Sequence, residues 1–304
     1  MKLIVHGQQA YGRSVLEAIL GKGVDQVLAV YCAPDQEGRP IDPLKEYALE
    51  QGLPVHQPES YKDPAVWEQL ASHDADLCVM AYVLLFVPEE ALNVPRLGSI
   101  QYHPSLLPWH KGPSSINWPI IMGREKTGLS IFWPDNGLDT GPILLQKEVD
   151  IGPDDTLGSI YFDKLFPLGV EAMIEAIDLV RGGNAPRQAQ DREAGSYEGW
   201  CRKEDVEIDW NKNTDEVYNL IRGANPQPGA WTTHEGNQLK IFDSRKTGGG
   251  GDPGTVLALD ADGASVATAD GAIKVMKVRA DAGKLSMAEY ADAAGLASGA
   301  RLGD

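Results

Sequence analysis

The sequence predicts an α/β fold: a doubly wound, mostly parallel sheet followed by a second, smaller β-barrel-like domain. Three observations carry this. Through the first half of the chain, short apolar runs alternate with helical segments, the pattern of strands joined by crossover helices. From Leu239 onward the pattern changes to short alternating runs split by glycine-rich turns such as the one at 248–251. Between them lies a polar stretch with Pro186, rich in Gln, Arg and Glu, that reads as a surface connection.

Taken in order, residues 3–6 form the first strand, and Gly7-Gln8-Gln9 turns the chain into a helix over 12–20. Strands are expected at 27–31, 53–56, 77–80, 97–101, 127–133 and 143–149, with helices at 45–51, 67–72, 89–92 and 114–122. Asp155-Thr156 should cap one long helix over 157–181, which Gly182-Gly183 ends. A second unit begins at 206–210, with a helix at 214–221 and strands at 239–242, 255–259, 265–268 and 273–278. The expected division is a Rossmann-like domain over 1–183, a linker over 184–202 and an OB-like barrel over 203–304.

At 304 residues, 42% hydrophobic and 23% charged, the chain is long enough for two ordinary globular domains with real cores. No apolar run approaches the roughly 20 residues that cross a bilayer. The opening lacks the basic and apolar regions of a secretory signal. Three cysteines, Cys32, Cys78 and Cys201, show neither pairing nor C-x-x-C spacing, which fits a reducing, cytoplasmic compartment. The six histidines show no metal-site spacing, so no metal is expected. The net charge of −17 argues against an extensive nucleic-acid surface, although a local basic patch could exist on such a chain. The first turn has Gln9 where a dinucleotide fingerprint needs its second glycine, so nicotinamide binding is not expected.

The chemistry concentrates in two loops. Residues 101–112 read Q-Y-H-P-S-L-L-P-W-H-K-G, and residues 135–141 read D-N-G-L-D-T-G. Pro104 and Pro108 stiffen the loop of His103, as suits a side chain held against a reacting atom. Alone, His103 reads as a histidine packed in a turn, and Asp139 as a turn aspartate bonded to its own backbone. Together they form a proton-handling pair in which Asp139 would favour the charged imidazolium and orient the ring. A cationic donor placed at a developing oxyanion is worth roughly 3–4 kcal/mol. Both loops follow strands, so both are expected at the carboxyl edge of the sheet, where such folds bind ligands.

The run H-P-S-L-L-P, the segments S-S-I-N-W at 114–118 and T-G-L-S-I-F at 127–132, and the loop G-L-D-T-G resemble the 10-formyltetrahydrofolate-dependent formyltransferase family. Within it, the likeness is strongest to the folate-hydrolase domain of 10-formyltetrahydrofolate dehydrogenase, then to methionyl-tRNA formyltransferase. The resemblance covers nearly the whole chain, with I-R-G at 221–223 and P-G-A-W at 228–231 similar to the family's carboxyl-terminal barrel. It implies formyl transfer from N10 of the folate through a tetrahedral intermediate by an Asn-His-Asp set, with His103 and Asp139 in the last two roles.

The same resemblance implies that the co-substrate lies against Met80, Ala81, Tyr82, Leu84, Leu85, Phe86 and Val87, and against Asp135, Asn136, Gly137 and Leu138. For the first of these loops, simple core packing is the competing reading. Ser105 and Asn117 are weaker candidates for contact with the acceptor. Amine-formylating members have asparagine where this chain has Gln101, whose amide sits one methylene further out. Gln101 either serves as the oxyanion donor, turns away, or selects another substrate. The tRNA enzymes continue S-L-L-P with an arginine-rich sequence, where this chain has Trp109-His110-Lys111-Gly112. From residue 201 onward there are 12 Lys and Arg against 16 Asp and Glu. The expected partners are therefore the folate and a small amine or water, with tRNA ranked third. A folate-binding sensor is the alternative from another class. No membrane is expected, oxidation of the formyl group is not expected of this chain alone, and a homodimer is compatible with the sequence but not demanded by it.

Overall fold

The computed structural model describes residues 1–191, 193–280 and 283–303. In chain order the elements are β1 (Lys2–Gly7), α1 (Gln9–Lys22), β2 (Gln26–Tyr31), α2 (Pro43–Glu50), β3 (Val55–His56), α3 (Pro64–Ser72), β4 (Leu77–Ala81), α4 (Glu89–Leu92) and β5 (Ser99–His103). Then come α5 (Asn117–Ile121), β6 (Lys126–Phe132), β7 (Ile143–Asp150), α6 (Leu157–Ser159), a π-helical turn (Ile160–Leu165) and α7 (Phe166–Arg181). After a 3-10 turn (Lys203–Val206) follow α8 (Thr214–Gly223), β8 (Trp231–His234), β9 (Asn237–Thr247), β10 (Val256–Asp260), β11 (Gly263–Ala267), β12 (Ala272–Ala280), β13 (Gly283–Ser286) and α9 (Met287–Ala294).

The chain divides into two compact units. The first contains Met1–Gly112, Gly128–Val149 and Lys164–Tyr197; the second contains Pro113–Thr127, Asp150–Asp163 and the residues from Glu198 onward. In the first unit a seven-stranded sheet runs β3-β2-β1-β4-β5-β6-β7. The pairs among β1 to β5 are parallel, and β6 is antiparallel to β5. Ile4, Ala29, Tyr31, Cys78 and Met80 project from one face and pack with Leu70 of α3 and Ala91 and Leu92 of α4. On the other face α7 lies so close that a Cβ on Gly169 would stand 2.7 Å from Tyr102 and 2.9 Å from Tyr11 of α1. Helices on both faces make the sheet doubly wound.

Local chemistry explains where the helices start. Asp42 and Asp63 each accept a hydrogen bond from the residue two positions on, and Pro43 and Pro64 fill the first helical position, where no N–H is missed. The single helix expected over 157–181 is instead α6, the π-helical turn and α7. Thr156 does cap its start, in a reciprocal pair with Ser159. Pro167 has no N–H for the Asp163 carbonyl four residues back, and the ladder is already widened at the turn just before it.

The second unit carries a six-stranded antiparallel sheet of order β10-β11-β12-β9-β8, with β13 paired to β12. Leu239, Ile241, Val266, Val275 and Val278 form its core with Val217 and Ile221 of α8 and Tyr290 of α9. Residues 299–303 bridge the two ends of the strand order. Val256 donates to Ala300 (2.9 Å), Leu302 to Gly254 (2.8 Å) and Gly303 to Thr233 (3.0 Å). The short strands β8 and β13 and the helix α9 were not expected from the sequence. For α9 a signal existed: Ser286 and Glu289 form a reciprocal capping box.

Candidate active site

Alternation along β5 sets the geometry. Tyr102 points to the face carrying α1 and α7, so Gln101 and His103 project from the opposite one. Gln101 lies between Met80 of β4 and Phe132 of β6, and His103 lies opposite Ser130. His103 and Asp139 are each only 7% exposed, and His103 Nδ1 stands 3.7 Å from Asp139 Oδ2. That separation is too long for a hydrogen bond but short for a charge pair removed from solvent. The other ring nitrogen, Nε2, lies 3.0 Å from the His110 carbonyl. A carbonyl only accepts, so Nε2 carries a proton in that bond and Nδ1 is left on the side of Asp139. Asp139 Oδ2 also accepts from the Gly112 N–H at 2.9 Å, which ties the two loops together.

Asp139 lies beside His103 at the carboxyl end of β5, as expected of both loops, but its chain arrives there by another route than a parallel strand would give. Because β6 is antiparallel to β5, the chain leaves β6 travelling back along β5, and the 135–141 loop must turn to reach the histidine. Asp135 shapes that turn by accepting from Gly137 N (3.0 Å) and Thr140 Oγ1 (2.7 Å). At Gly141 a Cβ would stand 1.8 Å from the Trp133 carbonyl, so no other residue fits without displacing the loop. Three non-glycine residues here are left-handed: Asp139 (φ 55°), His110 (φ 54°) and Tyr82 (φ 65°). Such residues persist only where their surroundings hold them.

The loop after β4 is split in character. Met80 and Val87 are buried in the core under α3 and α4, and Ala81 is fully buried, so packing occupies these three side chains. Tyr82, Leu84, Leu85 and Phe86 are between 37% and 56% exposed, and Leu138 across from them is 55% exposed. Residues 82–87 make no backbone hydrogen bond among the described residues. Asn136 joins the two loops, its Oδ1 accepting from Glu89 N at 3.0 Å. Apolar side chains left in water beside unused backbone donors and acceptors suit a flat heterocycle with a polar rim.

Other predicted residues have different work. Ser105 is buried, donating to the Trp109 carbonyl (2.8 Å), while its own carbonyl accepts from Ser130 (2.7 Å). The Asn117 amide nitrogen is committed within the second unit to the Gly223 (2.9 Å) and Gln227 (3.0 Å) carbonyls. The side chain of Gln101 is half-buried and has no hydrogen bond among the described residues. Sequence reasoning missed Gln190 and Ser196. Both lie in the stretch expected to run over the surface, yet Gln190 donates to the Asp139 (2.9 Å) and Gly141 (2.7 Å) carbonyls, and Ser196 Oγ accepts from His110 N (3.0 Å). Among the described residues no group of three His, Cys, Asp or Glu could hold a metal ion, and no helix is long and apolar enough to cross a membrane.

A histidine and an aspartate beside an open amide, on a doubly wound sheet, are the kinds of group that acid–base chemistry at a carbonyl requires. Residues 1–177 match the Formyl transferase family, and residues 201–294 match Formyl transferase, C-terminal domain. The chain belongs to this family, whose enzymes move or hydrolyse a formyl group carried by tetrahydrofolate. It is 41% identical over 258 residues to cytosolic 10-formyltetrahydrofolate dehydrogenase of Xenopus laevis, covering 83% of this chain and 28% of that protein. The chain thus spans under a third of such relatives. It is 34% identical over 289 residues to methionyl-tRNA formyltransferase of Clostridioides difficile (strain 630), covering 92% of each. Among solved structures, HypX from Aquifex aeolicus in complex with tetrahydrofolic acid has a TM-score of 0.69 at 19% identity, over 96% of this chain and 47% of that one. WlaRD, a sugar 3N-formyl transferase, also has a TM-score of 0.69 at 19% identity, over 94% and 98%. These two likenesses concern the fold.

Proposed function

We propose that this protein transfers the formyl group of 10-formyltetrahydrofolate to a small amine or to water, with His103, Asp139 and Gln101 as the reacting set. The observation that carries the reading is the pairing of His103 with Asp139, 3.7 Å apart and both buried, on the face to which Gln101 presents an unused amide. The acceptor's nitrogen or oxygen attacks the formyl carbon, and the carbonyl electron pair moves to oxygen. Charged His103, through Nδ1, and the Gln101 amide donate to that oxyanion. The acceptor's proton passes to Asp139 or to a water it holds, and reaches N10 as the carbon–N10 bond breaks. Tetrahydrofolate leaves, and the formyl group stays on the amine or departs as formate.

The exposed wall of Tyr82, Leu84, Leu85, Phe86 and Leu138 fits the pteridine, with the backbone of 82–87 and the carbonyls of Asp135, Asn136 and Gly137 reading its edge. Catalysis is assigned to residues 1–183, and the setting to the cytoplasm, in keeping with three free cysteines. A second reading, methionyl-tRNA formylation, draws on the relative matched over 92% of both lengths. The net charge of −17 opposes it.

The test mixes the purified protein with 10-formyltetrahydrofolate and follows tetrahydrofolate release alone, with amino sugars and amino acids, and with charged initiator tRNA. Release without an amine identifies the hydrolase, and release only with a small amine the transferase. Release only with tRNA establishes the second reading. Binding without release under every condition would sink the enzyme assignment in favour of a sensor.

A further inference from the structure

We propose that Gln190 and Ser196 are positioning residues, each holding one of the two left-handed residues through which the His103–Asp139 pair is aimed. His110 and Asp139 are the two such residues in direct contact with the His103 ring. Both have φ near +55°, which costs a non-glycine residue free energy and relaxes unless something opposes it. One stretch of chain opposes it at both places.

At the first place, Ser196 makes three contacts with the loop that carries His110. Its Oγ accepts from His110 N at 3.0 Å, its carbonyl accepts from Lys111 N at 3.1 Å, and its N–H donates to the Pro108 carbonyl at 3.1 Å. A Cβ on neighbouring Gly195 would stand 2.2 Å from that same Pro108 carbonyl, so the close approach also needs glycine there. The result fixes the peptide whose oxygen receives the His103 Nε2 proton. Through that oxygen, Ser196 sets the tautomer of the ring and leaves Nδ1 facing Asp139.

At the second place, Gln190 Nε2 divides its two hydrogens between the carbonyls of Asp139 and Gly141. Upstream, Gln188 pairs with Ile143 through both backbone groups, at 2.8 and 3.0 Å, which anchors the stretch to the start of β7. Gln190 Oε1 is buried and has no hydrogen-bond partner among the described residues, so the bonds that hold this side chain there are those of its nitrogen. Neither residue touches the reacting atoms. Each acts through the backbone of a residue that contacts the His103 ring.

The inference rests on the proposed chemistry for its kinetic consequence but not for its structural one, and the experiment separates the two. The full chain is labelled with 15N-histidine, and the His103 ring resonances are assigned by comparison with His103→Gln. At a pH high enough to keep the imidazole neutral, wild type should show the Nε2–H tautomer. Ser196→Ala should give mixed tautomers, and Ser196→Thr, which keeps the hydroxyl, should restore one. In the formyl-release assay Ser196→Ala should lower kcat by about ten- to a hundredfold while KM for the folate stays within about twofold. The near-isosteric Gln190→Met should lower kcat similarly without altering the His103 tautomer, because it acts on the Asp139 side. A single unchanged tautomer in Ser196→Ala, or unchanged kcat in Gln190→Met, overturns the assignment. If Ser196→Ala fails to fold, Gln190→Met decides it. Wild-type inactivity on every acceptor would refute the chemistry while the ring spectra still test the positioning.

Discussion

His103 has its two nitrogens in different company, and that division assigns their work. Nε2 is occupied by the His110 carbonyl, so in the proposed chemistry the ring donates to the oxyanion through Nδ1, on the side of Asp139. Replacing the ring by His103→Ala should lower turnover by at least about a hundredfold, while folate affinity, measured by fluorescence titration, changes little. Turnover within a few-fold of wild type would remove His103 from the mechanism. Gln101 is next along the same face, its amide unengaged among the described residues. Gln101→Leu deletes the proposed oxyanion donor without deleting much volume, and kcat should fall by about a hundredfold at nearly constant KM. Wild-type kcat in this variant would leave the oxyanion to His103 alone.

At the scale of elements, the β6–β7 connection shows what the sequence could and could not disclose. The alternation in T-G-L-S-I-F announces a strand, and D-N-G-L-D-T-G announces a turn, but neither says that β6 runs against β5. Strand direction depends on where the rest of the chain goes, so the route by which the chain reaches Asp139 was not legible, although its place beside His103 was. Gln190 and Ser196 were illegible for a related reason. They bond backbone groups far away in sequence, and no spacing rule marks a side chain that reaches a remote carbonyl or amide. Met80 and Val87 illustrate a third difficulty, since an apolar run that continues past a strand looks the same whether it lines a ligand or packs a core. The turn itself yields a prediction. Gly141→Ala puts a Cβ onto the Trp133 carbonyl, where only backbone can give way. The loop should shift, lowering kcat by about tenfold or more together with a drop in Tm of several degrees. Loss of neither would show that the connection adapts without moving Asp139.

At the scale of the whole molecule, stability and acidity are linked through a histidine that the chemistry does not use. His6 is 5% exposed at the end of β1, tilted against the Tyr61 ring with centroids 4.5 Å apart, and burial pushes its pKa down to about 3. An unfolded chain would protonate it near the ordinary value of about 6.5. Between those pH values the unfolded state binds the extra proton, so stability declines as pH falls through the window, by up to about 1.4 kcal/mol per pH unit. Above the upper value the contribution is complete. His6→Phe should flatten this part of the stability profile in urea unfolding at successive pH values. An unchanged slope would mean that other groups dominate acid unfolding. The broad architecture was readable at this scale because alternating strands and helices leave few ways to cover both faces of a sheet.

The greasy wall formed by Tyr82, Leu84, Leu85, Phe86 and Leu138 has a consequence for how copies of this protein meet. Five exposed apolar side chains are equally available to one another, and adhesion between molecules would cover the face proposed for the folate. The excess of seventeen negative charges sets up mutual repulsion in solution. Acidity that looks incidental to catalysis thus acts as the colloidal counterweight that lets a sticky surface stay open.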